Sequence, residues 1–455
     1  MSMRTSKVPE ETKLQSHQTL TVEAYLDRVP ATRFHFVVLG LCFMALAIDG
    51  FDSAIIGYMA PALLVEWNIT RPELAPVLSA ALFGLAIGAI VSGPIADRIG
   101  RKPVVMCANG LIALGCLASS YSPNLDVLTV LRFVTGLGLG AAMPNLVTLI
   151  TEYAPKKNRV LITTAVLCAF PLGASLGGLL AAWLITLIGW RGLFVVGGIL
   201  PLLVLAIGIF SLPESLHHLV SARKSQQAIR SVVRRISGAH SDVEIAVPPP
   251  EAAGRPKAIG VVLSRRYIIG SIALWIAYFM GLVIFYLFTS WMPVLLMGAG
   301  FSLESSAAIS AMFPFGGVVG ILIVGWIMER VEHHLVTVIA YALTAILVFL
   351  IGQQTQSPAL LTIVILLAGA AMNAGQTALV PLAARFYPTE GRATGIAWMQ
   401  GIGRTGGIGG ALFGAYLSAR TPSLKEFFAV ACLPGVAGAL AIFIKMRANP
   451  SGDHR

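Results

Sequence analysis

Charge is what this sequence has least of. Only 12% of its 455 residues are Asp, Glu, Lys or Arg, against roughly 25% in soluble domains. An aqueous surface built from so few charges is excluded, and lipid becomes the expected solvent. Cysteine is scarce too. The five (Cys42, Cys107, Cys116, Cys168 and Cys432) all fall in apolar runs without metal-ligand spacing, so they read as small packed hydrophobes, and no metal site is expected. No nucleotide loop and no Ser/His/Asp constellation stands out, so neither an enzyme nor a cofactor is expected. The eight histidines sit in loops, at termini or at helix ends, leaving none at mid-membrane. The first thirty residues lack an apolar h-region and a small-residue cleavage site; no removable leader is expected, and the first apolar run should stay as an anchor.

What is abundant is apolar sequence, 56% of the chain. With about 20 residues needed per bilayer crossing, twelve spans are read near 34–60, 72–97, 103–121, 126–153, 158–187, 190–211, 267–297, 303–330, 333–354, 358–387, 391–419 and 424–446. The net charge of +11 does not signal nucleic acid, because the basic residues crowd alternate loops: Arg98, Arg101 and Lys102; Lys156, Lys157 and Arg159; Arg223 through Arg266; Arg392; Lys445 and Arg447. The opposite loops are nearly free of them. The positive-inside rule then predicts a multi-pass protein of the bacterial inner membrane with both termini and the central loop in the cytoplasm. The lipid bilayer is the expected surroundings, nucleic acid is not a partner, and a monomer is expected.

The expected division is a cytoplasmic N-terminal segment (1–33), a first six-helix bundle (34–211), a cytoplasmic linker (212–266), a second six-helix bundle (267–446) and a tail (447–455). The linker carries basic residues, an amphipathic helix around 221–236 and the run Pro248-Pro249-Pro250. The bundles repeat at an offset of about 232 residues: Gly88, Gly93, Asp97 and Arg98 fall on Gly320, Gly325, Glu329 and Arg330, and Pro61 falls on Pro293. Pro155 and Arg159 correspond to Pro388 and Arg392. A duplicated six-helix unit places a transporter's substrate site between the halves, near the midplane.

The most specific local signal is Gly93-Pro94-Ile95-Ala96-Asp97-Arg98-Ile99-Gly100-Arg101-Lys102. Its glycines allow close approach of helix ends, and Asp97 beside a helix N-terminus or an arginine suits a latch between the halves. Gly93, Asp97, Arg98, Gly100, Arg101 and Lys102 are therefore gating candidates. The stretch resembles the loop signature of the major facilitator superfamily, G-x-x-x-D-R-x-G-R-K. The counterpart Glu329-Arg330-Val331-Glu332-His333-His334 is degenerate.

Ionised side chains at bilayer depth cost about 2.5–3.5 kcal/mol each even on lenient scales and default to functional roles. Four qualify: Asp49, Asp52, Arg132 and Arg404. Asp49 and Asp52 stand three apart around Gly50 and project from one helical face. Arg132 lies at similar depth on the fourth span. Two carboxylates beside one arginine in low dielectric share protons in an equilibrium that moves with access, which suits proton coupling; the alternative is a structural charge pair between the first and fourth helices. Arg404 has no carboxylate nearby in its own half, so an anionic substrate is the expected partner, its guanidinium offering a planar fork for a carboxylate. The alternative is neutralisation by helix-end carbonyls or a distant acid. Asn145, Asn373, Gln376 and Gln400 are candidates for hydrogen bonds to cargo, and Tyr278, Tyr286, Trp291 and Trp398 for stacking.

Asp49-Gly50-Phe51-Asp52 resembles the D-G-[FY]-D motif of the aromatic acid:proton symporter family within the major facilitator superfamily. So do Leu131-Arg132-Phe133 with Thr135, Gly136, Gly138 and Gly140, and Tyr387-Pro388-Thr389 with Arg392 to Gly395. The resemblance covers nearly the whole chain. It implies twelve helices in two pseudo-symmetric bundles, and import of benzoate- or 4-hydroxybenzoate-like acids with protons by alternating access. It also implies that Asp49, Asp52, Arg132, Glu152, Arg392 and Arg404 matter, with Glu152 in proton coupling and His334 and Arg392 in gating. Efflux of drugs or other organic anions by antiport is the alternative, since the latch does not specify direction.

Overall fold

The computed structural model describes residues 19–29, 32–155, 159–237, 244–245, 256–354, 357–421 and 423–447. Lys156, Lys157 and the Pro248–Pro250 run lie outside these. Among the described residues the regular structure is helical, apart from a two-residue parallel pairing of Thr19–Leu20 with Glu244–Ile245.

Ten helical stretches are long and apolar enough to cross a bilayer. One of them, Leu161–Ser211, runs for 51 residues, about 77 Å at 1.5 Å per residue and far beyond a hydrocarbon core of ~30 Å. It breaks at Gly189, where φ is 69° and ψ 176°, a left-handed conformation open to a residue without Cβ. That stretch is two spans. A further helix, Thr389–Arg420, is long enough at 32 residues but carries Arg404 and many glycines, which dilute its apolar character. The spans are therefore α1 (Arg33–Glu66), α2 (Ala75–Ile99), α3 (Arg101–Ser120), α4 (Leu125–Tyr153), α5 (161–188), α6 (190–211), α7 (Ile268–Gly298), α8 (Leu303–Met328), α9 (His333–Ile351), α10 (Pro358–Phe386), α11 (Thr389–Arg420) and α12 (Leu424–Arg447). Twelve transmembrane helices form two pseudo-symmetric bundles. Their outer surface is apolar, with Ile90, Val130, Trp183, Phe210 and Trp326 each more than half exposed. Such a belt is stable only in lipid.

Two boundaries differ from the sequence reading. The first span does not stop at 60: Pro61 sits inside α1, which continues to Glu66, as membrane helices tolerate proline where neighbours and local adjustment satisfy the backbone. The amphipathic linker helix starts later, at Gln226–Ser237, and buries Ile229, Val232, Val233 and Ile236 against Val22, Tyr25 and Leu26 of the short helix Val22–Arg28 and neighbouring spans.

Within each bundle the contacts repeat. Gly88 of α2 faces the backbone oxygen of Leu137 on α4, and its counterpart Gly320 of α8 faces that of Ala370 on α10, so a Cβ at either site would lie 2.2 or 2.0 Å from the carbonyl. Between bundles, α1 packs on α7, α2 on α11 and α5 on α8. Gly57 lies against the backbone of Thr289, its own counterpart at the 232-residue offset, so the two halves touch at equivalent positions about the pseudo-twofold axis. This contact, Gly178 against Ala311, and Arg71 against Gly298 all lie toward the end remote from the basic loops. At the basic end, Gly93 and Gly325 are exposed and meet nothing within 4 Å. The close contacts between the bundles thus lie at the end remote from the basic loops, while Gly93 and Gly325 at the basic end are open.

Gly50 shows how tightly α1 is seated. A Cβ there would lie 1.9 Å from the backbone oxygen of Phe170 on α5, and one at Gly173 would lie 1.8 Å from that of Ala47. Backbone cannot rotate away as a side chain can. Gly50→Ala is expected to destabilise the first bundle by about 1–3 kcal/mol, read as a lower thermal midpoint of the purified protein.

Candidate functional site

Four ionisable side chains lie within the apolar spans, and they divide into two unequal pairs. Asp52 and Arg132 form the first. Arg132 on α4 donates from Nη1 to Asp52 Oδ1 at 3.0 Å and from Nη2 to Oδ2 at 2.7 Å, and again from Nη2 to the Asp52 carbonyl at 3.1 Å. Both side chains are fully buried. The Cys116 thiol donates to Asp52 Oδ1 at 2.8 Å, and the Phe194 ring lies 5.5 Å from the guanidinium. The fork-on-fork geometry with extra donors is what makes a buried ion pair tolerable. It joins α1, α3 and α4.

The second pair is looser. Asp49 is 1% exposed, and its Oδ1 has no hydrogen-bond partner among the described residues. It lies within electrostatic reach of Asp52 and of Arg404 on α11. Arg404 makes no ion pair among the described residues; its Nη2 approaches the Met143 sulfur of α4 at 3.8 Å, from the opposite bundle. A thioether is a weak acceptor, so the charge of Arg404 is poorly matched. Glycines place this cation. Gly403, Gly406 and Gly407 press α11 onto Tyr278, Phe279 and Tyr286 of α7, where a Cβ would come within 2.2, 2.3 and 2.9 Å. Tyr286 is buried and interacts with both Asp49 and Arg404.

The remaining candidates scatter around this centre. Gln376 is committed: its Oε1 accepts from Tyr341 at 2.9 Å, and its Nε2 donates to the Tyr278 carbonyl at 3.4 Å. Asn373 donates to its own helix at Gly369 O, 3.0 Å, and Asn145 does the same at Ala141 O, 2.8 Å. Trp398 lies against Trp275 with ring centroids 5.9 Å apart. Trp291 is fully buried and donates to the Ala411 carbonyl at 2.8 Å, a packing contact.

The gating candidates lie at the basic end. Asp97 is exposed and lies 3.7 Å from Arg101, which is 3.9 Å from Glu152. Glu152 thus belongs to this end, nine residues or about 14 Å along α4 from Met143. Lys102 donates to the Ile209 carbonyl at 2.7 Å. Arg98 and Arg392 are exposed and make no ion pair among the described residues. His334 contacts Glu332 at 2.5 Å and the buried Lys445 at 2.7 Å. Partial burial would raise Glu332, but hydrogen bonds from His334 and Leu335 outweigh it and hold that carboxyl below its ordinary range. Among the described residues, no hydrogen bond or ion pair joins these latch residues to the opposite bundle.

Sequence reasoning passed over Glu214. Its Oε1 accepts from the backbone N–H of Arg101 at 2.8 Å and of Lys102 at 3.3 Å, capping α3 where φ is 109° at Gly100. A carboxylate there complements the helix dipole. The signal was the lone acid directly after the sixth span. Cys116, Ser53 and Met143 were missed as well, since nothing in their local sequence separates them from packing residues.

Comparison with known proteins agrees with this architecture. The sequence profile of the Major Facilitator Superfamily matches residues 42–352 and 307–455. The chain is 42% identical over 431 residues to the 4-hydroxybenzoate transporter PcaK of Acinetobacter baylyi, covering 94% of each. It is 40% identical to the gallate transporter of Pseudomonas putida, covering 95% of this chain and 97% of that one. The crystal structure of a D-xylose-proton symporter superposes with a TM-score of 0.71 at 18% identity, over 92% of this chain and 99% of that one. The chain therefore belongs to the Major Facilitator Superfamily, among its aromatic acid permeases, and is a transporter rather than an enzyme.

Proposed function

We propose that the protein imports small aromatic carboxylates of the 4-hydroxybenzoate and benzoate class together with protons, by alternating access. The observation that carries this reading is Arg404: a mid-helix cation between the bundles that makes no ion pair among the described residues and whose one hydrogen-bond contact there is a thioether. A carboxylate supplies what Arg404 lacks, and the rings of Tyr278, Tyr286 and Trp398 suit a flat aromatic body. The relatives named for 4-hydroxybenzoate and gallate support the same cargo class.

Charge balance supports the proton. Asp49, Asp52, Arg132 and Arg404 together carry no net charge, so one bound carboxylate leaves the buried site with an excess negative charge. One proton restores neutrality at the least cost. Asp49, buried with one oxygen that has no hydrogen-bond partner among the described residues, takes it, while Asp52 stays clamped by Arg132. The basic loops support a bacterial inner-membrane topology with both termini in the cytoplasm, which turns the end carrying the open Gly93 and Gly325 inward. The latch around Asp97 and Arg101, with Glu152, His334 and Arg392, closes that end when the bundles rock. The protein works as a monomer.

The test is uptake of labelled 4-hydroxybenzoate into proteoliposomes. An acid-outside pH gradient is expected to speed uptake several-fold, a protonophore to remove the effect, and an imposed potassium diffusion potential to do little, because anion and proton enter as a neutral pair. Uptake indifferent to the protonophore contradicts the coupling; uptake driven by the potential alone contradicts the one-to-one balance.

A further inference from the structure

Two buried oxygens near Tyr286 have no well-aligned hydrogen bond among the described residues: Asp49 Oδ1 and Ser53 Oγ. Unpaired buried polar atoms are uncommon in native proteins, and two in one place call for an explanation. They stand four residues apart on α1, so they share a face one turn apart. The Tyr286 hydroxyl lies beside Ser53 without closing a well-aligned hydrogen bond. Tyr286 is itself held in place, with α11 pressed against its ring at Gly407. Arg404, within electrostatic reach of both Asp49 and Tyr286, completes the enclosure.

We infer that Asp49 and Ser53 form a subsite for the ring hydroxyl of the cargo. A phenol is both donor and acceptor. It donates to the free oxygen of Asp49 and accepts from the Ser53 hydroxyl, closing both open valences at once. When Asp49 carries its proton on one oxygen, the other still accepts. Arg404 can only donate, so it could meet Asp49 or the lone pairs of Ser53 but would leave the Ser53 O–H without an acceptor, which a phenol supplies. The carboxylate and the hydroxyl of one rigid ring thus find separate partners, on α11 and α1, drawn from the two bundles. Benzoate, without the hydroxyl, fills the Arg404 end but leaves both oxygens unpaired. A site built around such a hydroxyl discriminates against the analogue that lacks it. This inference rests on the carboxylate reading of Arg404.

The experiment is competition in proteoliposomes: unlabelled benzoate and unlabelled 4-hydroxybenzoate against labelled 4-hydroxybenzoate, read as the ratio of their half-inhibitory concentrations. The native protein is expected to favour the hydroxylated acid. Ser53→Ala is expected to reduce that preference by roughly tenfold, the worth of one buried hydrogen bond, and Ser53→Thr, which keeps the hydroxyl, to retain most of it. A ratio unchanged in Ser53→Ala overturns the subsite and leaves the Arg404 reading standing, as does an equal loss in both Ser53 variants. A native protein inhibited by neither acid overturns both. Should Ser53→Ala prove too unstable to reconstitute, the native preference and the Ser53→Thr ratio decide: no native preference, or a ratio lost in Ser53→Thr, overturns the subsite.

Discussion

Arg404→Gln is expected to cut uptake of aromatic acids by on the order of 100-fold, the loss of a charge-assisted fork on a carboxylate. Arg404→Lys should recover little, because a point charge cannot reproduce two parallel hydrogen bonds. Neither variant should unfold more readily than the native protein. Among the described residues Arg404 makes no ion pair, and its one hydrogen-bond contact is the Met143 sulfur, so its removal relieves a poorly matched charge rather than breaking a salt bridge. Uptake into proteoliposomes and thermal unfolding of the same preparations check the two halves of this expectation.

Arg132 should show the opposite signature. Arg132→Leu strands the Asp52 carboxylate, fully buried, with a single thiol donor from Cys116. Breaking a buried pair by removing one partner costs about 3–5 kcal/mol, so the variant is expected to be poorly folded in detergent, with a steep fall in thermal midpoint. Removing both charges is a different matter: Arg132→Met combined with Asp52→Leu should regain most of the lost stability, since well-packed apolar pairs replace buried ion pairs at little cost. Thermal unfolding of the single and double variants reads this. A double variant as unstable as the single would contradict the role of the pair as a clamp between α1 and α4.

These two arginines show what a sequence can and cannot convey here. Both were visible as charges in apolar runs, because lipid makes each one expensive. That Arg404 lacked an acid in its own half could also be read directly. Which aspartate Arg132 would hold could not: Asp49 and Asp52 share a helical face, and which of them turns toward α4 depends on how α1 seats against its neighbours, as at Gly50 on Phe170 and Gly57 on Thr289. The thiol of Cys116 reads as a packed hydrophobe until Asp52 is placed beside it. The twelve spans were legible from apolar length alone, even where glycines dilute α11, because the bilayer fixes how long a run must be. Contacts between the bundles were not. Met143 approaching Arg404, and Glu214 capping α3, join residues 261 and 113 positions apart, and no local pattern encodes such a distance.

The central claim is that Arg404 receives the carboxylate. The most direct measurement is binding of 4-hydroxybenzoate and of its uncharged methyl ester to the purified protein and to Arg404→Gln. The native protein should prefer the acid by on the order of 100-fold, and the variant should bind acid and ester about equally. A variant that keeps the native preference for the acid would place the carboxylate elsewhere and contradict this account.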